Sequence, residues 1–307
     1  MKRRKFIRTT MGASVAASAA IAFGNLNQLF AFTSGIPSLP YDLVAVRNGE
    51  PDVMFDSAMK SLGGMEMFVK RGQKVVVKPN IGWDVSPERA ANTNPLLVKR
   101  IVEHCLQAGA GEVYVFDNTC DEWNKCYKSS QIEEMAKAAG ARVVPGNSER
   151  LYREVQIPRG KRLKNAKVHE LILDSGVLIN VPVLKHHSSA SLTIAMKNLM
   201  GVVWDRGYWH RNDLHQCIAD YCTHRPPDLN VIDAYRVMMR NGPRGVSEND
   251  VVSYKTLIVS KDIVAADAAA AKIFGSEPED IPHIMIGSEM GIGTHDLDQL
   301  NINRIRL

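Results

Sequence analysis

Short apolar runs alternate with longer amphipathic segments along the first half of the chain. Four of these runs have the length of buried strands: 43–47, 74–78, 112–116 and 141–144. Three segments between them repeat apolar positions at helical spacing: 53–62, 95–108 and 131–139. Pro79 ends the second run, and Gly109 follows the second amphipathic segment, as expected at a strand end and a helix C-terminus. This order predicts an α/β fold, Rossmann-like, with a mostly parallel twisted sheet flanked by helices.

The second half continues the same pattern after a more polar stretch. Residues 152–173 predict a hairpin or an edge insertion, and a seam between two α/β subdomains near 145–170 stays open. Further strands are predicted at 177–183, 229–232 and 256–259, and helices at 191–199, 213–221 and 263–273.

The first thirty residues differ from the rest of the chain. A basic stretch, 2–8, precedes a short apolar run rich in small residues, 11–23. The Arg3-Arg4 pair resembles a twin-arginine export signal, and a basic N-terminus of a cytoplasmic protein is the alternative. We therefore expect residues 1–31 to be a signal peptide read by the twin-arginine export machinery. Residues 32–307 are then expected to be an α/β domain in the periplasm, or otherwise exported, without a stable membrane anchor.

The net charge changes its meaning once that segment is set aside. The chain has 38 Lys and Arg against 33 Asp and Glu, a formal charge of +5. Residues 1–31 hold five of the basic residues and no acidic one, so the remainder is balanced at 33 against 33. A balanced domain gives no argument for nucleic acid as a partner.

The five cysteines do not have the spacing of an iron–sulfur motif, so no iron–sulfur cluster is expected. Cys120 and Cys126 lie in one predicted loop, and whether they pair after export is left open. The pattern identifies no cofactor, although a divalent metal stays an alternative.

Charged or amide side chains follow each of five predicted strands. They are Lys78 and Asn80, Asp117, Lys185 with His186 and His187, Asp233, and Lys261 with Asp262. Ligands of parallel α/β sheets bind at the carboxyl ends of the strands, so this pattern predicts a shared cleft.

Two segments predict an anion-binding site within that cleft. Thr93 and Asn94 precede Pro95, where a helix start would leave free backbone N–H groups; a plain helix start is the alternative. Lys185 follows a buried strand, and Lys197 lies on the predicted helix 191–199. If that segment is helical, Thr193 and Lys197 share a face, and Asn198 lies on the neighbouring stripe. Two lysines over one pocket favour phosphate or carboxylate.

Histidine and aspartate complete the predicted chemistry. His187 and His215 are the candidates for proton transfer, because each lies beside other polar candidates. Asp117, Asp233 and Asp267 are predicted to orient a histidine or to hold a divalent metal.

Eight stretches, in this order, resemble a known family. They are 75–80, 93–95, 181–187, 196–201, 213–220, 229–234, 240–243 and 264–268. Together they make the chain similar to the family called domain of unknown function 362 over about residues 70–275. Many of its members have a twin-arginine signal, and some carry a ferredoxin-like cysteine module. No cysteine follows Cys222 here, so the resemblance strengthens the site residues and implies neither a cluster nor a reaction.

Two hypotheses follow. In the first, an enzyme binds an anionic small molecule through Lys78, Lys185 and Lys197, while three asparagines orient it: Asn80, Asn94 and Asn198. In the second, a non-catalytic metal- or cofactor-binding protein serves an exported redox system, with a ligand set of Asp117, His187, His215 and Asp233.

Overall fold

The computed structural model describes residues 38–307, so the predicted signal peptide lies outside the described part. The strands are β1 (Leu43–Arg47), β2 (Lys74–Pro79), β3 (Glu112–Val115), β4 (Arg142–Val143), β5 (Tyr152–Gln156), β6 (Asn165–His169), β7 (Val177–Val181), β8 (Val183–His187), β9 (Ser191–Thr193), β10 (Leu229–Met238), β11 (Val251–Ser260) and β12 (Ile302–Arg306). The helices are α1 (Pro51–Leu62), α2 (Pro95–Gln107), α3 (Trp123–Ser129), α4 (Ile132–Ala138), α5 (Glu170–Asp174), α6 (Ala195–Asn198), α7 (Arg206–Arg211), α8 (Leu214–Cys222), α9 (Ile263–Phe274) and α10 (Pro282–Glu289).

Ten of these strands form one mixed sheet in the order β12-β1-β11-β10-β7-β2-β3-β4, with β8 beside β10 and β9 beside β8. The part from β10 to β4 is parallel, whereas β11 runs antiparallel to both β10 and β1. The predicted α/β fold with a mostly parallel sheet is therefore confirmed. Strands β5 and β6 pair antiparallel in a separate two-stranded sheet, as the polar stretch 152–173 predicts.

The sheet is buried on both faces because side chains alternate along each strand. In β2, Val75 and Val77 pack with α1 to α4, while Val76 packs with the elements from α5 to α10. Residues Leu39–Leu307 form one compact unit. In the part of the chain from 38 onward, no helix is both long and apolar enough to cross a membrane.

A row of buried polar side chains crosses the middle of this apolar sheet. Lys78 of β2 lies in register with Asn180 of β7, which lies in register with Asn230 of β10 and, beyond it, Ser260 of β11. The Asn180 amide donates to Asn230 Oδ1 at 3.0 Å. All four residues are buried, so the row needs its internal hydrogen bonds. It connects the sheet to the polar site described below.

Two predicted elements differ from the structure. The apolar run 177–183 continues as two strands, because Pro182 interrupts the ladder before β8. The helix predicted at 191–199 is wrong in its first half. Ser191–Thr193 pairs with β8 as β9, and the helix α6 begins only at Ala195. Thr193 and Lys197 therefore do not share a helix face.

Candidate functional site

Several predicted residues line one cavity of about 460 Å³ beyond the carboxyl ends of β2 and β3, beside β8. We call it the lysine cavity. Its polar lining is Lys78, Asn80, Asp117, Asn118, Cys120, Lys185, His187, Ser188, Ser189, Thr193, Lys197, Asn198, Arg206 and His210. Eight of these residues were predicted from the sequence: Lys78, Asn80, Asp117, Lys185, His187, Thr193, Lys197 and Asn198. The structure brings these eight residues together.

Lys78 and Asp117 form a buried ion pair at the carboxyl ends of the parallel strands β2 and β3. Their Nζ and Oδ1 atoms are 2.9 Å apart, and the other carboxylate oxygen accepts the Ile81 N–H at 2.7 Å. Burial lowers the pKa of Lys78, and the adjacent Asp117 opposes that shift. The pair thus joins the end of β2 to the segment that follows β3.

Lys185, at the middle of β8, is also buried but has no carboxylate partner among residues 38–307. Its ammonium donates to Asn80 Oδ1 at 3.2 Å and to the Ala91 carbonyl oxygen. Burial lowers the pKa of Lys185 to about 7. Neutral oxygens hold this side chain in place without cancelling its charge.

Lys197 differs from both, since its ammonium has neither a hydrogen-bond acceptor nor a carboxylate partner in the described part of the chain. The residue is 9% exposed and lines the cavity. Burial lowers the pKa of Lys197 to about 8, and the charges of Arg206 and Lys78 contribute to the shift. This lysine is therefore available to a ligand.

The short helix α6 that carries Lys197 is fixed at its first turn. Asp267 of α9 accepts the Ala195 N–H at 2.5 Å and the Met196 N–H at 2.9 Å. The Asn180 side chain donates to the Ala195 carbonyl at 2.9 Å. Because four residues make a helix with little stability of its own, these contacts determine where Lys197 lies.

Asn198 connects the lysine cavity to the polar row across the sheet. Its Oδ1 accepts from Lys78 Nζ at 2.9 Å and from Asn80 Nδ2 at 3.0 Å. Its Nδ2 donates to Asn180 Oδ1 at 2.8 Å and to the Lys78 carbonyl at 3.3 Å. Every hydrogen-bonding position of this amide is used, so the predicted ligand-orienting role is indirect: Asn198 positions Lys78 and Asn80.

The charge balance of the lysine cavity is strongly positive. Lys78, Lys185, Lys197 and Arg206 contribute four cations, and Asp117 is the one carboxylate among its described lining residues. Arg206 donates to the carbonyls of Asn118 and Thr119, both at 2.7 Å, and these neutral groups leave its charge uncompensated. Such an excess of positive charge attracts anions and disfavours a divalent cation.

His187 presents an N–H group to the lysine cavity. Its Nδ1 accepts the Ser189 backbone N–H at 3.1 Å, so the neutral ring carries its proton on Nε2. Burial lowers the pKa of His187, and Lys197 and Lys185 lower it further. The geometry therefore favours His187 as a hydrogen-bond donor to a ligand, whereas the sequence predicted a role in proton transfer.

Thr93 and Asn94 lie outside the lysine cavity, and the predicted free helix end is already occupied. The Asn94 backbone N–H donates to Asp233 Oδ2 at 2.7 Å, while the Asn94 side chain caps α2 at Leu96. Thr93 donates to the Val181 carbonyl and accepts from the Asn80 N–H. Both residues align the strand ends, so the plain helix start is the better interpretation.

His215 also lies outside the lysine cavity. Its Nδ1 is 3.1 Å from Nδ1 of the buried His283, so the two rings share one proton in a contact between α8 and α10. Burial lowers the pKa of both histidines, that of His283 to about 3. The sequence predicted proton transfer for His215 from the polar candidates beside it in the chain, and it could not show that His283 packs against it.

The three predicted metal-binding carboxylates are not brought together. Asp117 pairs with Lys78, Asp267 holds α6, and Asp233 accepts the N–H groups of Asn94 and Tyr235. Within 38–307, no group of three or more His, Cys, Asp or Glu side chains is arranged to hold a metal ion. Backbone N–H groups or a lysine contact each of the three predicted carboxylates.

Lys261 and Asp262 were expected at the same cleft but lie at the opposite end of the strands, beside the amino end of β10. They follow β11, which runs antiparallel to β10, so its carboxyl end points away from the lysine cavity. Asp262 instead caps α9 by accepting the Val264 and Ala265 N–H groups. The sequence pattern does not reveal strand direction.

Some cavity residues were missed from the sequence: Arg206, His210 and Cys120 among the lining, and Asn180 behind it. Asn180 had a visible signal, an amide in the middle of the most apolar strand. Arg206 and His210 lie on α7, a six-residue helix without a recognisable pattern. The structure also shows Cys120 and Cys126 unbridged, the first exposed and the second buried.

Gly201 forms the wall against which the Lys78–Asp117 pair packs, and it yields a testable prediction. A Cβ atom at this position would overlap Asp117 Oδ1 and come within 2.5 Å of Lys78 Nζ. Gly201→Ala should therefore displace the ion pair and lower the free energy of unfolding by about 1–3 kcal/mol, measured by urea denaturation. Gly82→Ala is the matched control, since its Cβ would make only an ordinary 3.5 Å contact with Asn80. Equal stability of the two variants would contradict the described packing.

The chain is similar to known proteins both in sequence and in fold. A thylakoid-associated protein of Synechocystis sp. is 26% identical over 255 residues, covering 76% of this chain and 73% of the relative. The lactate racemase apoprotein from Thermoanaerobacterium thermosaccharolyticum has a TM-score of 0.50 and 10% identity, covering 75% of this chain and 56% of that one. The chain thus spans little more than half of the racemase, and the likeness concerns the fold alone. The model of a family described as a domain of unknown function, DUF362, matches residues 75–272, and the chain belongs to this family.

Proposed function

We propose that this protein is an enzyme that binds a small anionic molecule in the lysine cavity. The observation that carries the proposal is the charge balance, in which four cations face one carboxylate among the described lining residues. A volume of about 460 Å³ is within the range of small-molecule sites.

The uncompensated cations indicate the kind of ligand. Of the four cations in the described lining, only Lys78 has a carboxylate partner, which leaves Lys185, Lys197 and Arg206 for the ligand. Three cations around one cavity suit a molecule with two anionic groups, such as a dicarboxylate or a phosphorylated acid. His187 adds a neutral N–H donor for a carbonyl or hydroxyl oxygen.

Catalysis rather than non-catalytic binding is proposed because burial brings the pKa values of two lysines in one cavity close to neutrality. The pKa of Lys185 is lowered to about 7 and that of Lys197 to about 8. Lysines in this range exchange protons readily at neutral pH, as general acids and bases require.

Calorimetric titration with phosphate, oxalate and malate tests the binding. The full chain should bind at least one of these anions, and Lys197→Ala should weaken that binding at least about tenfold. Lys128→Ala is the control, because Lys128 is exposed and does not line the cavity. Equal binding by both variants, or no binding by the unmodified protein, would overturn the proposal.

Titrations with oxalate and malate, which remain dianions from pH 6 to 9, should depend on pH in a defined direction. As pH rises from 6 to 9, Lys185 and then Lys197 lose their protons, because burial lowers the pKa of both side chains. Bound anion stabilises the protonated lysines, so affinity should fall with rising pH, approaching about tenfold per unit for each linked proton. Affinity that is constant or rises over this interval would argue against lysine as the anion-binding group.

Export by the twin-arginine pathway is the second part of the proposal. It rests on Arg3 and Arg4 and the short apolar run after them. Changing both arginines to lysine should eliminate the processed protein from the exported fraction, measured by immunoblot of fractionated cells. Processing that continues unchanged would show that another export route is used.

A further inference from the structure

The lysine cavity contains one amine, that of Lys197, that has no hydrogen-bond or ion-pair partner in the described part of the protein. We infer that Lys197 is a nucleophile that condenses with the carbonyl group of a small 2-oxo acid to form an imine. This inference rests on the proposed anion site and names its substrate class.

The contacts distinguish Lys197 from the other lysines. Lys78 is held by Asp117 and Asn198, and Lys185 by Asn80 and the Ala91 carbonyl. These acceptors take two of the three N–H groups of each ammonium ion. Within the described chain, Lys197 makes no such contact, although it is nine-tenths buried.

An imine requires a neutral amine, and the surroundings of Lys197 favour one. The side chain is nine-tenths buried, and the charges of Arg206 and Lys78 add to the effect of burial in disfavouring a positive charge, while Asp117 opposes it. A desolvated lysine beside other cations is a recognised arrangement for a nucleophilic amine.

The condensation balances without a further reactant. The Lys197 nitrogen lone pair attacks the carbonyl carbon, and the π electrons move to oxygen, which takes up a proton. The resulting carbinolamine loses its hydroxyl group as water, and nitrogen forms the C=N bond. Both hydrogens of the neutral amine thus leave in that water molecule or in exchange with it.

The remaining cavity groups suit the acid part of the same molecule. Lys185 and Arg206 have no carboxylate partner within 38–307, and either can bind the carboxylate beside the carbonyl. The His187 N–H can donate to the carbonyl oxygen and thereby make the carbon more electrophilic. Carbonyl and carboxylate on adjacent carbons define a 2-oxo acid.

Borohydride trapping tests the inference. The full chain is incubated separately with glyoxylate, pyruvate and 2-oxoglutarate, reduced with sodium borohydride, and analysed by intact mass and peptide mapping. We expect one reduced adduct per chain, located at Lys197, with at least one of the three acids. Lys197→Arg should eliminate the adduct while keeping the positive charge, and Lys128→Ala should leave it unchanged.

Three results would overturn the imine. They are an adduct located on another lysine, an adduct that forms to the same extent on Lys197→Arg, and the absence of an adduct with all three acids. Oxalate separates this result from a failure of the proposed function, because it has no ketone or aldehyde carbonyl. If oxalate binds to wild type and to Lys197→Arg but none of the three 2-oxo acids gives an adduct, the proposed anion site is retained and the imine is rejected. Loss of both oxalate binding and the adduct would remove both.

Discussion

Replacing Asp117 with Ala is expected to lower the free energy of unfolding by about 3–5 kcal/mol, the largest effect expected of any single substitution at the lysine cavity. Lys78 is fully buried, and Asp117 is its one carboxylate partner in the described chain. Without it, a buried ammonium keeps Asn198 as its acceptor but has no opposite charge. The Ile81 N–H also loses its acceptor. Urea denaturation followed by circular dichroism measures the change.

Two further variants identify the cause of that loss. Asp117→Asn keeps an acceptor for Ile81 and removes only the charge, so a large loss here assigns the effect to the ion pair. Lys78→Met combined with Asp117→Ala removes both charges and should be more stable than Asp117→Ala alone. If Asp117→Ala unfolds within about 1 kcal/mol of wild type, the buried pair is not what holds the two strand ends together.

Replacing Asn198 with Ala is expected to cost about 2–3 kcal/mol and to weaken anion binding as well. The change leaves Lys78, Asn80 and Asn180 each without one hydrogen-bond partner; Lys78 and Asn180 are fully buried and Asn80 is half-buried at the cavity. Because Asn80 also holds Lys185, the disturbance should extend to both lysines. Denaturation gives the stability effect, and titration with phosphate gives the effect on binding.

Asn212→Ala is the matched control, since this amide only donates to the Tyr208 carbonyl at the end of α7. Its loss should change stability by less than about 1 kcal/mol, because the site is open to water. Similar stability of the Asn198 and Asn212 variants would contradict the connecting role assigned to Asn198.

Much of the fold follows from local patterns in the sequence. Apolar runs such as 74–78 and amphipathic segments such as 95–108 identify their elements because burial imposes a period of two or 3.6 residues. Residues at or just after the carboxyl ends of β2, β3 and β7 could be placed together because these strands are parallel. Lys78, Asp117 and Lys185 were predicted on that argument, and the structure brings them together.

The remainder depends on contacts between distant segments. Asp262 lies at the opposite end of the strands from the lysine cavity because β11 runs antiparallel to β10. An apolar run in the sequence does not encode strand direction. The backbone N–H groups that occupy Asp233 and Asp267 come from residues 94 and 195–196, far away in the chain. His215 meets His283 in the same way, across a separation of 68 residues. The sequence therefore does not show whether the hydrogen-bond partner of a polar side chain is another part of the protein or a ligand.

Locating a bound anion is the most direct test of the proposed anion site. Crystals of the full chain soaked in sodium bromide would reveal the ion by its anomalous scattering, whatever the natural ligand is. We expect bromide within hydrogen-bond distance of Lys197 Nζ, between Lys185 and Arg206. Bromide that occupies only surface lysines and leaves the lysine cavity to water would contradict the assignment of this cavity to an anion.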